Sequence, residues 1–300
     1  MELKQLSYFV TVVEEGTISS AARKLNLTQP PLSAQMKQLE AECGCLLFER
    51  SARRIRLTEA GRLLYGRART MLELAGITRQ ELKEYREGSG GTLRLGVVSS
   101  VGSTLLTAVA GQFHESHPAI TFELVEANTY QLLEQLKSNL IEIAIVRTPF
   151  DDQGFSFVRI HDETMLAAGH RRYFKGCQAV TQSLPLTALA GKPLILYRRW
   201  ESILLERFDS AGISPDIFCK NDDARTSALW ADAGLGVSIL PASAQSLLHH
   251  PETVLYKIDD PQLHSGICVV HNKNARLSGV AKSFLSYLSS SFNSISDRIL

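Results

Sequence analysis

The stretch Ile18 to Glu42, ISSAARKLNLTQPPLSAQMKQLEAE, leaves the chain little choice of local structure. Ala21, Ala22 and Leu25 sit at helical packing spacing over about Ser19 to Leu25, and Asn26 is a turn residue. Thr28 then offers an N-cap hydroxyl to a second helix that runs to about Glu42. Pro30 and Pro31 fall in its first turn, where a missing N–H costs nothing. Leu32, Met36, Leu39 and Cys43 follow i, i+4, i+7, i+11, which predicts one buried stripe. Gln29, Ser33 and Lys37 recur on another face that carries no carboxylate, so that face can approach phosphates and base edges. An ordinary helical hairpin with a solvated face has the same spacing, and the flanking segments must decide between the two.

Leu47 to Leu57, LFERSARRIRL, reads as a hairpin, with Leu47 and Phe48 on one strand, Ile55 and Leu57 on the other, and Arg53 and Arg54 near the tip. From Arg50 to Arg69 there are seven arginines and one acid, Glu59, whereas Met1 to Gly90 holds 14 Lys and Arg against 11 Asp and Glu. The positive charge is therefore local. A basic hairpin beside a second helix of this kind is the winged form of the helix-turn-helix, and its arginines can reach phosphates or the minor groove. Thr58 opens a long helix in which Leu64, Ala68, Met71, Ala75, Thr78, Leu82 and Tyr85 are spaced 4, 3, 4, 3, 4, 3. That is the repeat of a helix pairing with another long helix. Its small residues make a weak seam. A dimer suits paired DNA half-sites.

Together these residues resemble the LysR-type transcriptional regulators. The resemblance is carried by AARKLNLTQPPLS, the following QLE, LFER and LTEAG, and it covers Met1 to about Tyr85 nearly without gaps. It implies that Gln29, Pro30 and Ser33 sit at DNA, with a wing arginine at Arg53. The family often has arginine where this chain has Ala34, a departure that bears on which operator is read. With the reading of the helix face and the wing, the candidate DNA-binding residues are Thr28, Gln29, Pro30, Ser33, Lys37, Arg50, Arg53 and Arg54.

Gly88-Ser89-Gly90-Gly91 reads as a flexible joint. After it, strands and helices alternate. Expected are strands at Leu93 to Val98, Thr121 to Glu126 and Glu142 to Val146, with helices at Ser103 to Glu115 and Tyr130 to Ser138. A second set follows from about Thr164, with strands near Met165 to Ala168, Leu194 to Tyr197, Asp216 to Cys219 and Val237 to Leu240. A last strand at Gly266 to His271 and a helix at Leu277 to Phe292 return to the first set. Two α/β lobes with two crossings enclose a cleft. This arrangement resembles the periplasmic solute-binding fold of LysR-type effector domains, through LRLGVVSS, LLEQLKSNLIEIAIV and ALWADAGLGVSILP. Asn139 and Glu142 replace the family's usual Gly and Asp. The expected architecture is thus a multidomain α+β and α/β chain: a winged helix-turn-helix over 1–58, a linker helix and hinge over 59–91, and an effector domain over 92–300. Lobe I takes about 92–161 and 267–300, and lobe II about 162–266.

In parallel sheets, ligands bind beyond the carboxyl ends of the strands. That rule selects Ser99 and Ser100 after the first strand, Asn128-Thr129 after the second and Arg147-Thr148 after the third. Hydroxyls with free helix N–H groups suit an anion, and a guanidinium suits a carboxylate. Tyr197 and Trp200 add an aromatic wall, and Arg198 or Arg199 further charge. The resemblance independently points to Ser99, Ser100, Thr129 and Arg147. The candidate effector residues are therefore Ser99, Ser100, Thr129, Arg147, Thr148, Tyr197 and Trp200, for an aromatic or other small carboxylate. Helix capping for Ser99 and Thr129, pairing of Arg147 with Asp151 or Asp152, and core roles for Tyr197 and Trp200 remain open alternatives.

The chain lacks the GxSxG, Walker and HExxH motifs, so catalysis is not expected. Net charge is +1, and no apolar run approaches membrane-spanning length. Five cysteines without CxxC spacing fit a reduced cytoplasm. Cys43 is expected to pack in the helix stripe and Cys45 to lie in the following turn. No metal or other cofactor is expected. The expected partners are double-stranded operator DNA, a small-molecule effector, RNA polymerase and further copies of the chain in a dimer of dimers, with no membrane. The alternatives are a DNA-binding regulator without a ligand and one responsive to thiol oxidation.

Overall fold

A computed structural model describes residues 1–49, 55–87, 90–102, 105–176 and 183–299. The chain divides into two compact units, Met1–Gly88 and Ser89–Leu300. Among the described residues, no helix is long and apolar enough to cross a membrane.

The first unit opens with α1 (Leu3–Glu15), whose Leu6, Phe9, Val10 and Val12 are buried. Gly16, at φ 69°, ends it in the left-handed region, where glycine carries no Cβ penalty. Thr17 caps α2 (Ile18–Lys24) by accepting a hydrogen bond from Ser20 N. Asn26, also left-handed at φ 53°, makes the turn into α3 (Gln29–Cys43). Leu32, Met36 and Leu39 are buried as the spacing requires, but Cys43 is exposed: the stripe stops one turn short, where α3 runs past the core. Thr28 occupies the N-cap position with extended backbone, yet its side chain makes no capping bond. The reason lies in the sequence. An N-cap side chain accepts from the second or third helical N–H, and here those residues are Pro30 and Pro31, which have none.

The hairpin is short. Phe48 and Leu57 form an antiparallel bridge, and Glu49 N donates to Arg56 O at 3.0 Å. Its tip, with Arg50, Arg53 and Arg54, lies outside the described residues. Thr58 Oγ1 caps α4 (Glu59–Glu87), accepting from Gly61 N at 3.0 Å. The first two seam positions are not free to pair: Ala68 is buried in this unit's own core and Leu64 packs against it. Farther along, Met71, Leu74 and Leu82 are exposed.

In the second unit, β1 (Thr92–Val97), β2 (Thr121–Glu126) and β3 (Ile143–Arg147) run parallel, with β1 between the other two. In place of the one helix expected between β1 and β2, the chain makes α5 (Ser99–Gly102) and α6 (Leu105–Ser116). The helix α7 (Thr129–Lys137) follows β2. One continuous 16-residue strand, β4 (Phe155–His170), then crosses to the second lobe, and the strand expected at Met165 to Ala168 is its apolar end. Its first part pairs with β10 (His264–Asn272), which returns the chain to lobe I beside β3 and leads to α10 (Gly279–Ile299). The far end of β4 pairs with β8 (Val237–Pro241) and β9 (Thr253–Ile258). Lobe II is completed by β5 (Ser183–Leu184), β6 (Pro193–Tyr197), α8 (Glu201–Ser210), β7 (Asp216–Asn221) and α9 (Ala224–Asp232). The spatial order is β2-β1-β3-β10-β4-β8-β6-β7, with β9 and β5 off that path. Each lobe has its own apolar core, one around Phe113, Leu132, Ile143 and Phe284, the other around Trp200, Leu204, Phe208 and Ile239. The strands β4 and β10 join them, so the carboxyl ends of β1–β3 face the second lobe across a junction.

Candidate functional site

In the first unit the polar face of α3 is open. Thr28, Gln29, Pro30 and Lys37 are exposed and Ser33 is half-buried. Gln29 does not swing freely: its Oε1 accepts a hydrogen bond from Ser19 Oγ of α2 at 3.0 Å. The Nε2 donor is left for an outside acceptor, and the amide is held in one orientation. Thr28, released from capping by the two prolines, is exposed at the start of the same helix. The far end of α3 is fastened to the hairpin by Glu40, whose Oε1 accepts from Leu47 N at 2.8 Å and Phe48 N at 3.2 Å. Helix and hairpin are thus oriented as one body.

In the second unit Arg147, at the carboxyl end of β3, reaches the lobe junction but does not stand open there. It is 1% exposed. Its Nε donates to Ser100 Oγ at 2.9 Å, Nη1 to Ser265 Oγ at 3.0 Å, and Nη2 to Ser243 Oγ at 2.6 Å. The charge is answered by Glu163 of β4, whose Oε2 lies 3.3 Å from Nη2 and which is equally buried. Glu163 in turn accepts from Ser243 N at 3.0 Å. Burial lowers the Arg147 pKa from its ordinary value, and Glu163 pulls the other way. The guanidinium expected to hold a ligand carboxylate is therefore satisfied by the protein, with Glu163 as its partner and not Asp151 or Asp152. Glu163, Ser243 and Ser265 were not selected from the sequence. Local sequence carries little signal for Glu163, which stands among Arg159, His161, Asp162 and Thr164; only its burial shows that it must find a cation.

Thr129 is fully buried, and its Oγ1 lies 3.5 Å from Arg147 N; the cap of α7 is Asn128, which accepts from Gln131 N at 3.0 Å. Thr148 Oγ1 accepts from Gly266 N at 2.8 Å and so ties β3 to β10. Trp200 is a core residue of lobe II, 1% exposed, whose Nε1 has no hydrogen-bond partner. Among the described residues, Ser99 and Tyr197 of the expected effector set line an open cavity of about 350 Å³ between the lobes. Its other walls are Glu126, Ala127, Asn128 and Gln131 from lobe I and Asp222 and Asp223 from lobe II. Arg225 of α9 pairs with Glu126 across the lobes, and Arg198 Nη1 lies 2.9 Å from Asp222. Burial pushes the Tyr197 hydroxyl pKa up.

Arg199 is the second arginine of the junction, and its situation differs. Its Nη2 donates to the carbonyl oxygens of Arg147 and, at 2.9 Å, Pro149, and its guanidinium carbon lies 5.7 Å from the Tyr130 ring centre. Its Nε and Nη1 are buried and have no hydrogen-bond partner among the described residues. Burial lowers its pKa, and Tyr197 and Tyr130 oppose that shift.

Comparison with known proteins accounts for both halves. The model of the bacterial regulatory helix-turn-helix protein, lysR family, matches residues 3–62, and that of the LysR substrate binding domain matches residues 86–293. The HTH-type transcriptional regulator YybE of Bacillus subtilis is 28% identical over 98% of this chain and all of its own length. The DNA-binding transcriptional dual regulator OxyR of Escherichia coli is 30% identical over 81% of this chain and 80% of its own. The crystal structure of CbnR, a LysR family transcriptional regulator, superposes with a TM-score of 0.79 at 27% identity, covering 97% of this chain and 99% of that one. CbnR in complex with its target DNA superposes equally well. A helix-turn-helix that matches the family's own model, followed by a two-lobed domain that matches its substrate-binding model, makes this chain a member of the LysR family of DNA-binding, non-enzymatic transcriptional regulators.

Proposed function

We propose that this regulator is controlled by a small carboxylate held at the lobe junction by Arg199. The observation that carries this reading is the pair of buried, unpartnered N–H groups on that side chain. An unmet buried donor costs about 1–3 kcal/mol, more when charged, and a carboxylate oxygen brought to either of the two would remove that cost with a charge-assisted hydrogen bond. Glu126, Asp222 and Asp223 on the cleft wall oppose a second negative group, so the rest of the ligand should carry hydrogen-bond donors. Among the described residues Tyr197 is the aromatic one lining that cavity, and the Tyr130 ring stands beside the Arg199 guanidinium, so aromatic and aliphatic carboxylates both suit the reading. Ligand closure between the lobes would alter the geometry of the oligomer and hence its hold on DNA, by no more than the ligand's differential affinity for the two forms.

On the DNA side, Thr28, Gln29, Pro30, Ser33 and Lys37, with Arg50, Arg53 and Arg54 of the hairpin, are proposed to contact the operator. Domain limits at 1–58, 59–91 and 92–300, a dimer through α4, a dimer of dimers, contact with RNA polymerase, promoter activation and a cytoplasmic location complete the reading. The test is isothermal titration of the full chain with a panel of aliphatic, amino and aromatic carboxylates. Binding that is lost in Arg199→Ala and kept in Arg225→Ala is expected. A panel without any binder, or affinity unchanged in Arg199→Ala, overturns the carboxylate reading and favours a regulator without a ligand, which the internally satisfied Arg147 also suits.

A further inference from the structure

The end of α3 carries a feature that neither DNA contact nor the lobe junction uses. Cys43, the last residue of the helix, and Cys45, one residue beyond its cap, are both free thiols and both exposed. Gly44 between them adopts φ 66° and ψ 15°, and a Cβ there would meet no atom within 4 Å, so the turn stands in open space. A left-handed residue bends the chain, so the two thiols attach closer together than across an extended tripeptide. The backbone N–H of Cys45 donates to Glu40 O at 3.3 Å, and that of Gly44 to Ala41 O at 3.2 Å. The same Glu40 holds Leu47 N and Phe48 N through its side chain. The cysteine pair therefore sits on the joint that fastens the recognition helix to the hairpin.

We propose that Cys43 and Cys45 form a vicinal dithiol that is chelated by trivalent arsenic compounds, and that closing this ring weakens DNA binding. Two thiols one residue apart can bond the same arsenic atom. With phenylarsine oxide, two S–H bonds and the As–O bond break, two As–S bonds form, and the oxygen leaves with both protons as water. Arsenic remains trivalent, and no oxidant is needed. Partial burial pushes the Cys43 thiol pKa up, and Cys45 and then Glu42 add in the same direction, so Cys43 meets the reagent as a thiol at neutral pH. Ring closure constrains Cys43, Gly44 and Cys45 together, which loads the Cys45–Glu40 bond and, through Glu40, the root of the hairpin. The distance from Lys37 to Cys43 along the helix is only about 9 Å at ~1.5 Å per residue, so a shift there reaches the DNA-facing surface.

The experiment treats the reduced full-length protein with one equivalent of phenylarsine oxide. Uptake is read by intact mass after washing with 2-mercaptoethanol, and affinity is read on a duplex selected from a random library with the untreated protein. The expected result is one phenylarsenic group that survives the monothiol, leaves with 2,3-dimercaptopropanol, and is absent in Cys43→Ser and in Cys45→Ser. Affinity should fall by about tenfold, the scale of one lost direct contact, and return with the dithiol. Both serine variants should bind the duplex as the untreated protein does and ignore the reagent. Adduct retained by either serine variant, no adduct on the wild type, or a full adduct with unchanged affinity each overturns the proposal.

Discussion

Glu163 Oε2 lies 3.3 Å from Arg147 Nη2, and both side chains are 1% exposed. The pair joins β3, the last parallel strand of lobe I, to β4, the strand that leaves it. Removing one member strands a charge in the interior, at about 3–5 kcal/mol, whereas replacing both by apolar residues of similar volume is close to neutral. Glu163→Ala is therefore expected to lower the unfolding free energy by about that amount in urea titration, and Arg147→Met with Glu163→Leu to recover most of it. A Glu163→Ala variant within about 0.5 kcal/mol of wild type would mean that water or another anion takes over the role.

The same pair marks where the sequence was legible and where it was not. The rule that ligands gather beyond parallel strands led to Arg147, Thr129 and Ser100, and those residues do meet at one place, because strand order follows from alternating apolar runs. What they do there depends on Glu163 of β4, Ser265 of β10 and Ser243 just after β8, which enter only when the chain crosses between the lobes and folds the second one. Local pattern carries no record of that pairing. Likewise Leu64 and Ala68 keep the seam spacing of α4 but are absorbed by their own unit's core. Period tells which residues share a face, not what covers it. Thr28 failed for a purely local reason that was visible throughout: the cap needs donors that Pro30 and Pro31 lack.

Cys268 provides a pH test. It is buried in β10, and burial pushes its thiol up to about 11, with Arg159 opposing and Asp162 adding. The unfolded chain, with the ordinary thiol pKa, loses its proton first. The contribution is fully present below that ordinary value and is lost as pH rises through the folded value. Stability should thus fall between about pH 9 and pH 11 more steeply in wild type than in Cys268→Ala. Thermal melts of the two proteins across that window check the sign, and parallel curves would refute it.

Gln29 and Lys37 make separable predictions for DNA. Gln29 has its carbonyl held by Ser19, its Nε2 has no hydrogen-bond partner among the described residues, and it is proposed to read one base edge. Gln29→Ala is expected to cost about 1–3 kcal/mol and to relax preference at one position, and Ser19→Ala to show a weaker form of the same defect. Lys37→Ala should weaken all sequences alike and reduce the slope of log affinity against log salt by about one. Selection from a random duplex library at several salt concentrations measures both. If Lys37→Ala changed base preference and left the slope intact, the assignment of that residue to phosphate would be wrong.

The exposed residues of α4 bear on assembly. Met71, Leu74 and Leu82 are 40%, 37% and 66% exposed, on a helix whose Leu72 still packs against the domain core. Helical spacing puts the three on neighbouring rows, enough for a second copy of the helix to cover. Burying a leucine contributes about 1.5–3 kcal/mol, and a two-fold interface counts every substitution twice. Leu74→Glu should therefore weaken self-association by at least about a hundredfold, the product of two losses of ~1.4 kcal/mol each. Sedimentation over a range of concentrations reads this directly, and Leu63→Glu, at an exposed site beside the domain core, serves as the control for added charge. A Leu74→Glu protein that sediments as wild type would place the dimer contact elsewhere in the chain.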